Sequence, residues 1–280
     1  MNNQSSITAL MSSFGRAFHA ENEDHPVFTD HLAKELMTAE EYTAVQNYIQ
    51  ALKAAVLTGT KQYVILGAGM DTFAFREGEF LAKHQVFEVD HPLTQKDKIE
   101  RITRAGWSVP DNLTFVPVDF TKDNLAERLT ASGFDPSAKS FFSWLGVTYY
   151  LSTEAIDTML AALSELCADG STLVFDYPDE NFFDATEKRV QNTIMMAKAG
   201  GEPMQSAFSY KELEKLLEKH GFLIYELLTP DDIQRNVIHK AGADMKAFEH
   251  VNYCLAVRKN YSAKPGLLLP VLDKMRLCRA

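Results

Sequence analysis

Gly67-Ala68-Gly69 closes the apolar run Tyr63-Val64-Ile65-Leu66, and Asp71 follows two residues later. A second apolar run, Val86-Phe87-Glu88-Val89, ends in Asp90, about 20 residues after the glycines. Glycines let a backbone approach a ligand closely, and a carboxylate at that distance accepts hydrogen bonds from both hydroxyls of a ribose. These residues therefore point to a nucleotide cofactor. A dinucleotide fits poorly, because the third glycine of its fingerprint is replaced by Thr72. Asp71 also puts negative charge where a pyrophosphate needs N–H donors and a positive helix end. The same charge suits S-adenosylmethionine, which carries a sulfonium and an ammonium and no phosphate.

Farther along, Asp119-Phe120 ends a third apolar stretch and offers an acceptor beside a ring that can stack on adenine. Tyr149 and Tyr150 follow a fourth strand, and Asp176 and Tyr177 end a fifth. Ligands bind beyond the carboxyl ends of such strands, so Tyr149, Tyr150 and Tyr177 are candidates for an acceptor pocket. His19, His25 and His31 fall near a predicted lid and read as surface histidines. The Met195-Met196 pair reads as adaptable core. Asp71 also suits a helix N-cap, and Arg76 is placed to pair with Glu88 or Asp90.

These residues are carried by an alternation of strand and helix. Helical spacing marks residues 7–20 and 30–57. Strands are predicted at 63–66, 85–89, 113–120, 140–144, 171–177, 222–228 and 250–258. Helices are predicted from Asp71, at 93–105, 125–130, 153–167, 181–199 and 209–220. The pattern predicts a doubly wound, mostly parallel seven-stranded sheet covered on both faces, with the last two strands as an antiparallel edge pair. The chain reads as one domain over 1–280, with residues 1–58 as an N-terminal helical cap and 181–208 as a lid insert.

The chain has 280 residues and a net charge of -10, which disfavours a general electrostatic grip on nucleic acid. Cys167, Cys254 and Cys278 are widely spaced, and neither they nor the eight histidines show metal-ligand spacing. No apolar run approaches a membrane span, and the polar amino terminus lacks a secretion signal. A cytoplasmic protein acting on a small molecule, with no metal, membrane or nucleic-acid partner, is the expectation. Composition leaves the oligomeric state open.

Five segments, in this order and spacing, resemble the leucine carboxyl methyltransferase family, above all its bacterial branch of S-adenosylmethionine-dependent enzymes. They are Gln62 to Thr72 with Arg76, Phe87 to Pro92, Phe115 to Phe120, Trp144 to Leu151, and Gly201-Glu202-Pro203 with Phe208. The resemblance covers nearly the whole chain and implies a class I methyltransferase, Rossmann-like fold. It implies Gly67, Ala68, Gly69 and Asp71 beside the methionine part of the cofactor and Asp90 with His91 at the ribose. It further implies Asp119 and Phe120 at the adenine, and Trp144 and Leu145 lining the crevice. Two positions depart from the family. Leu145 stands where a Glu is usual, and Gln46 to Gln50 lacks the usual Arg, leaving Arg16 or Lys53 as candidates for the cofactor carboxylate. The implied activity is O-methylation of a small-molecule carboxylate or hydroxyl in secondary metabolism. An NAD(P)-binding oxidoreductase and a non-catalytic cofactor-binding protein are the alternatives.

Overall fold

A computed structural model describes residues 59–238 and 246–259. The expected helices over 7–20 and 30–57 lie outside the described residues. So do the whole 1–58 cap, Arg16, Lys53, His19, His25, His31 and Cys278.

The sheet starts from β1 (Gln62–Leu66), in which every residue is buried. Such a run suits a strand covered on both faces. Its polar ends are satisfied within the fold. Gln62 Nε2 donates to the Asp135 carbonyl at 2.8 Å, and its Oε1 accepts from the Asp135 amide at 2.8 Å. Two short helices follow, α1 (Phe73–Arg76) and α2 (Gly78–Leu81), and lead to β2 (Gln85–Asp90). Helix α3 (Pro92–Ala105) begins with proline at its first turn and ends at Gly106 in the left-handed conformation, φ 73°. Then come β3 (Leu113–Pro117), α4 (Leu125–Ala131), β4 (Ser140–Trp144), α5 (Thr153–Leu166) and β5 (Thr172–Pro178). Helices α6 (Lys188–Ala199) and α7 (Tyr210–Lys219), strand β6 (Phe222–Leu228), the short α8 (Pro230–Ile233) and β7 (Val251–Arg258) complete the described order.

The seven strands form one sheet in the order β3-β2-β1-β4-β5-β7-β6. The first five are parallel, and β7 runs antiparallel to both β5 and β6. Alternation within each strand splits the core. Val64, Leu66, Phe87, Val89, Phe142 and Trp144 face one side with residues of α4, α5 and α7. Tyr63, Ile65, Val86, Phe141 and Val174 face the other with Phe73 of α1. The strand order reverses direction between β1 and β4, which opens a crevice beyond their carboxyl ends, where ligands bind in sheets of this kind.

Three expectations change. The third strand ends at Pro117 rather than 120, because the chain turns at Asp119. Asp119 Oδ1 accepts from the Thr121 amide at 3.0 Å, and the amides of Lys122 and Asp123 return to the Asp119 carbonyl. The predicted helix over 181–199 is broken. A 3-10 turn at Phe182–Asp184 buries Phe182, Ala185 is extended, and the helix starts only at Lys188. Met195 and Met196, expected in the core, are 61% and 48% exposed on α6. Helix α8 went unpredicted although Thr229-Pro230-Asp231-Asp232 spells a capping box with proline at N1.

Candidate cofactor crevice

Where β1 ends, the backbone turns sharply enough that Gly67 has φ 70° and Gly69 φ 49°. The amides of Gly67 and Ala68 both donate to the Val89 carbonyl, at 2.8 and 3.1 Å, which ties the turn to the end of β2. That tie brings Asp90 to the glycines. Asp90 Oδ2 accepts from the Gly69 amide at 2.5 Å, and Oδ1 accepts from the His91 amide at 2.6 Å. Each oxygen has one backbone donor and keeps a lone pair for a ligand. Burial raises the Asp90 carboxyl above its ordinary value, and the two amides oppose the rise.

Asp71 closes the turn by accepting from the Phe73 amide at 2.6 Å, two residues on; the N-cap of α1 is Thr72 rather than Asp71, with no side-chain capping bond. His91 caps α3 through Nδ1, which accepts from the Leu93 amide at 3.3 Å. Its Nε2 lies 3.8 Å from Asp119 Oδ2. Burial works against ionisation of Asp119, but Lys122 at 2.6 Å and the Thr121 hydroxyl outweigh it and hold the carboxyl at about 2. Asp119 thus sits beside the crevice in a loop, with its carboxylate turned into its own turn, and not at a strand end. Phe120 is partly buried against the larger core cluster.

Beneath the turn lies a pair that sequence reading missed. Glu88 points into the smaller core, and the buried Lys98 of α3 bonds to its Oε2. Burial raises Glu88 to about 7; Lys98 counters, while Asp71 and Asp90 add to the rise. Arg76, expected to pair with Glu88 or Asp90, instead donates through Nε to Thr72 Oγ1 at 2.7 Å. The sequence signal was a charged residue inside an apolar strand, which had read as part of the Asp90 motif.

On the other side of the switch point the strand ends carry a second constellation. Val147 packs directly on Gly67. The amide of Gly146 donates to Asp176 Oδ1 at 2.9 Å, and the hydroxyl of Tyr149 donates to Asp176 Oδ2. Tyr149 and Tyr150 lie in a 3-10 turn, Thr148–Tyr150, with their rings 5.5 Å apart. Burial first, and then the charge of Asp176, raise the Tyr149 phenol well above its ordinary value. The segment after α6 is laced to the same turn: the Gln205 amide donates to the Tyr149 carbonyl at 2.6 Å, and Ser206 Oγ to the Thr148 carbonyl at 2.9 Å.

Two other expected site residues lie elsewhere. Trp144 is fully buried in the core below the crevice, its ring 6.3 Å from that of Phe175. Tyr177 is 1% exposed, packs on Phe175 and bonds to Asn252, because its place in β5 turns it to the core face. Leu145 is partly buried against the smaller cluster. Among the described residues no group of His, Cys, Asp and Glu could hold a metal ion.

The crevice suits a cationic cofactor. Asp71 and Asp90 place carboxylates at the glycine turn, where a pyrophosphate would be repelled. Asp90 retains acceptor capacity for a diol. With the strand order, these features define a class I S-adenosylmethionine-dependent methyltransferase. Solved structures share the fold at low identity. A DUF574 family protein from Streptomyces avermitilis superposes with TM-score 0.60 at 14% identity, covering 89% of this chain and 97% of that one. Magnesium protoporphyrin IX methyltransferase (ChlM) from Synechocystis PCC 6803, solved with bound SAH, gives 0.52 at 14% identity, covering 91% of this chain and 97% of ChlM.

Sequence relatives make the assignment narrower. The sequence model of leucine carboxyl methyltransferase matches residues 47–164. The Bacillus subtilis (strain 168) protein named "Putative S-adenosyl-L-methionine-dependent methyltransferase YktD" is 38% identical over 302 aligned positions, covering 92% of this chain and 99% of YktD. A Mycobacteroides abscessus protein of the same description is 32% identical, over 52% of this chain and 48% of its own length. The chain belongs to the leucine carboxyl methyltransferase family of S-adenosylmethionine-dependent methyltransferases. Its cofactor is S-adenosylmethionine.

Proposed function

We propose that the chain is an O-methyltransferase acting on a small-molecule carboxylate or hydroxyl, in the cytoplasm and in secondary metabolism. The observation that carries the cofactor end is the Asp90 carboxylate, held by the Gly69 and His91 amides with a lone pair left on each oxygen. In this reading Asp90 takes the ribose diol, with His91 beside it. The backbone of Gly67, Ala68 and Gly69, with Asp71 at its end, borders the methionine part. Asp119 and Phe120 border the adenine, Leu145 lines the inner wall, and Arg16 is the candidate for the cofactor carboxylate.

The bound cofactor supplies an activated methyl group. The protein's own task is then to align an acceptor with it and to keep water out. Tyr149 and Tyr150 are the acceptor-side residues, and the 181–208 segment is the lid over them. Residues 1–58 form the cap of the same single domain. A small acceptor is favoured by the Gln205 and Ser206 bonds, which hold the lid segment close to the Thr148–Tyr150 turn.

Calorimetric titration with S-adenosylmethionine, with NAD as control, tests the cofactor end. Saturable binding of the former alone is expected. Asp90→Ala removes two charge-assisted bonds to the diol and should weaken affinity by about 100-fold or more. Unchanged affinity in a folded Asp90→Ala variant refutes the ribose assignment.

A further inference from the structure

Tyr149 and Asp176 place a hydrogen-bond acceptor, and no donor, on the acceptor side of the crevice. A phenol has one proton and two lone pairs. The proton of Tyr149 is committed to Asp176 Oδ2, and Asp176 Oδ1 is fixed by the Gly146 amide. What remains on the Tyr149 oxygen is lone-pair capacity, which recognises a group that brings its own proton. A carboxylate brings none.

The location agrees with this role. Asp90 marks the ribose end over β2, and the strand order runs from β2 through β1 and β4 to β5. A cofactor whose ribose sits at Asp90 extends toward β4, so its reactive end faces the β4 and β5 termini. Gly146, Val147, Tyr149 and Asp176 are the residues there, and Val147 touches Gly67 of the cofactor turn.

Resting on the methyltransferase reading above, we propose that the acceptor is a neutral hydroxyl, and that Tyr149 with Asp176 takes its proton as the methyl group is transferred. The acceptor oxygen forms the new bond to the methyl carbon while the carbon–sulfur bond breaks, its electron pair staying on sulfur. The acceptor's proton passes to the Tyr149 oxygen as Tyr149 passes its own to Asp176, which ends as a neutral carboxylic acid and later returns the proton to water. The product is a methyl ether. Tyr149 never has to become a phenolate, in keeping with a phenol whose ionisation is opposed by burial and by Asp176. Asp176, buried behind the phenol, is a positioning residue and proton sink rather than a contact of the acceptor.

The test uses the full chain, S-adenosylmethionine labelled in its methyl group, and a deproteinised small-molecule extract of the cells that make the protein. Labelled product is treated with alkali, which releases methanol from a methyl ester and leaves an ether intact. Base-stable label identified as an O-methyl ether by mass spectrometry is expected. Base-labile label, or an N-methyl amine, overturns the hydroxyl assignment while the methyltransferase reading stands. No labelled product removes that reading, and this one with it. On the labelled acceptor, Tyr149→Phe should lower kcat by about 100-fold. Cofactor affinity should stay unchanged, while the thermal midpoint should fall because the buried Asp176 Oδ2 loses its donor. Asp176→Asn, which keeps an oxygen for the Gly146 amide but cannot take the proton, should lose a similar factor. Full activity in either folded variant, or a loss of cofactor affinity equal to the loss of rate, overturns the proposal.

Discussion

A methyl group added at Gly67 would lie 2.3 Å from Cγ2 of Val147, and the backbone there has φ 70°. Both facts forbid a side chain, and both come from the fold itself: β4 sends Val147 across the end of β1. Gly67→Ala should destabilise the protein by about 1–3 kcal/mol from overpacking, with about 1–2 kcal/mol more for the left-handed conformation. Urea unfolding measures the sum. The double variant Gly67→Ala, Val147→Ala should recover the overpacking part and leave the conformational part; no recovery would mean that Val147 is not the obstacle. The approach of Asp90 to the glycine turn was legible in the sequence because it follows from spacing along the chain. The bond between Tyr149 and Asp176 was not, because it joins residues 27 apart through strand pairing. Tyr177 misled for the related reason that a strand's alternation decides which face a side chain takes. Asp176, at the crevice, and Tyr177, in the core, are consecutive residues.

At the scale of elements, the buried Glu88–Lys98 pair pins α3 to β2 directly under the cofactor turn. Its energetics are governed by burial, which raises Glu88 from 4.5 to about 7. Because the folded value lies above the ordinary one, the folded chain holds a proton that the unfolded chain releases between pH 4.5 and about 7. Stability from this group is therefore complete below the lower value and is lost as pH rises through the upper one. Glu88→Gln, which keeps the shape and removes the titration, should flatten the stability profile across that window. Denaturant midpoints at a series of pH values measure it, and an unchanged slope would place the titration elsewhere. Lys98→Met removes the partner that lowers Glu88, so the folded chain should hold that proton to higher pH and the window should widen upward. Strands β4 and β6 were legible to the residue because Ser140 to Trp144 and Phe222 to Leu228 are unbroken by turn residues. The break at Ala185 was not legible. It follows from burying Phe182 in a small cluster with Val190 and Val251, a contact between distant segments that no local propensity encodes. The Asp119 turn was hidden for a different reason: Val118-Asp119-Phe120 has strand composition, and the carboxylate's bonds to Thr121 and Lys122 overrode it.

Across the whole molecule, the antiparallel pair β6 and β7 extends the parallel sheet without interruption, since β7 pairs along seven residues of β5. A sheet joined in this way should unfold as one unit, and two cysteines report on it from separate places. Cys254 lies mid-strand in β7, opposite Phe175 of β5 and Leu227 of β6. Cys167 follows α5, on the face where that helix covers the sheet. Both thiols are buried, and burial pushes both far above the ordinary thiol value, so neither supplies thiolate in the folded state. Against an aromatic disulfide reagent, both should stay unreactive until the chain unfolds globally. Their labelling rates should then rise together along the urea transition that far-ultraviolet circular dichroism reports. Variants carrying Cys278→Ser together with Cys167→Ser or Cys254→Ser assign the signal to each site. Labelling of Cys254 at low urea, with Cys167 still protected, would show that the β6–β7 edge opens on its own. The single cooperative domain would then have to be divided at the β5–β7 seam, which borders the Asp176 end of the crevice, and opening there would expose the proposed acceptor side.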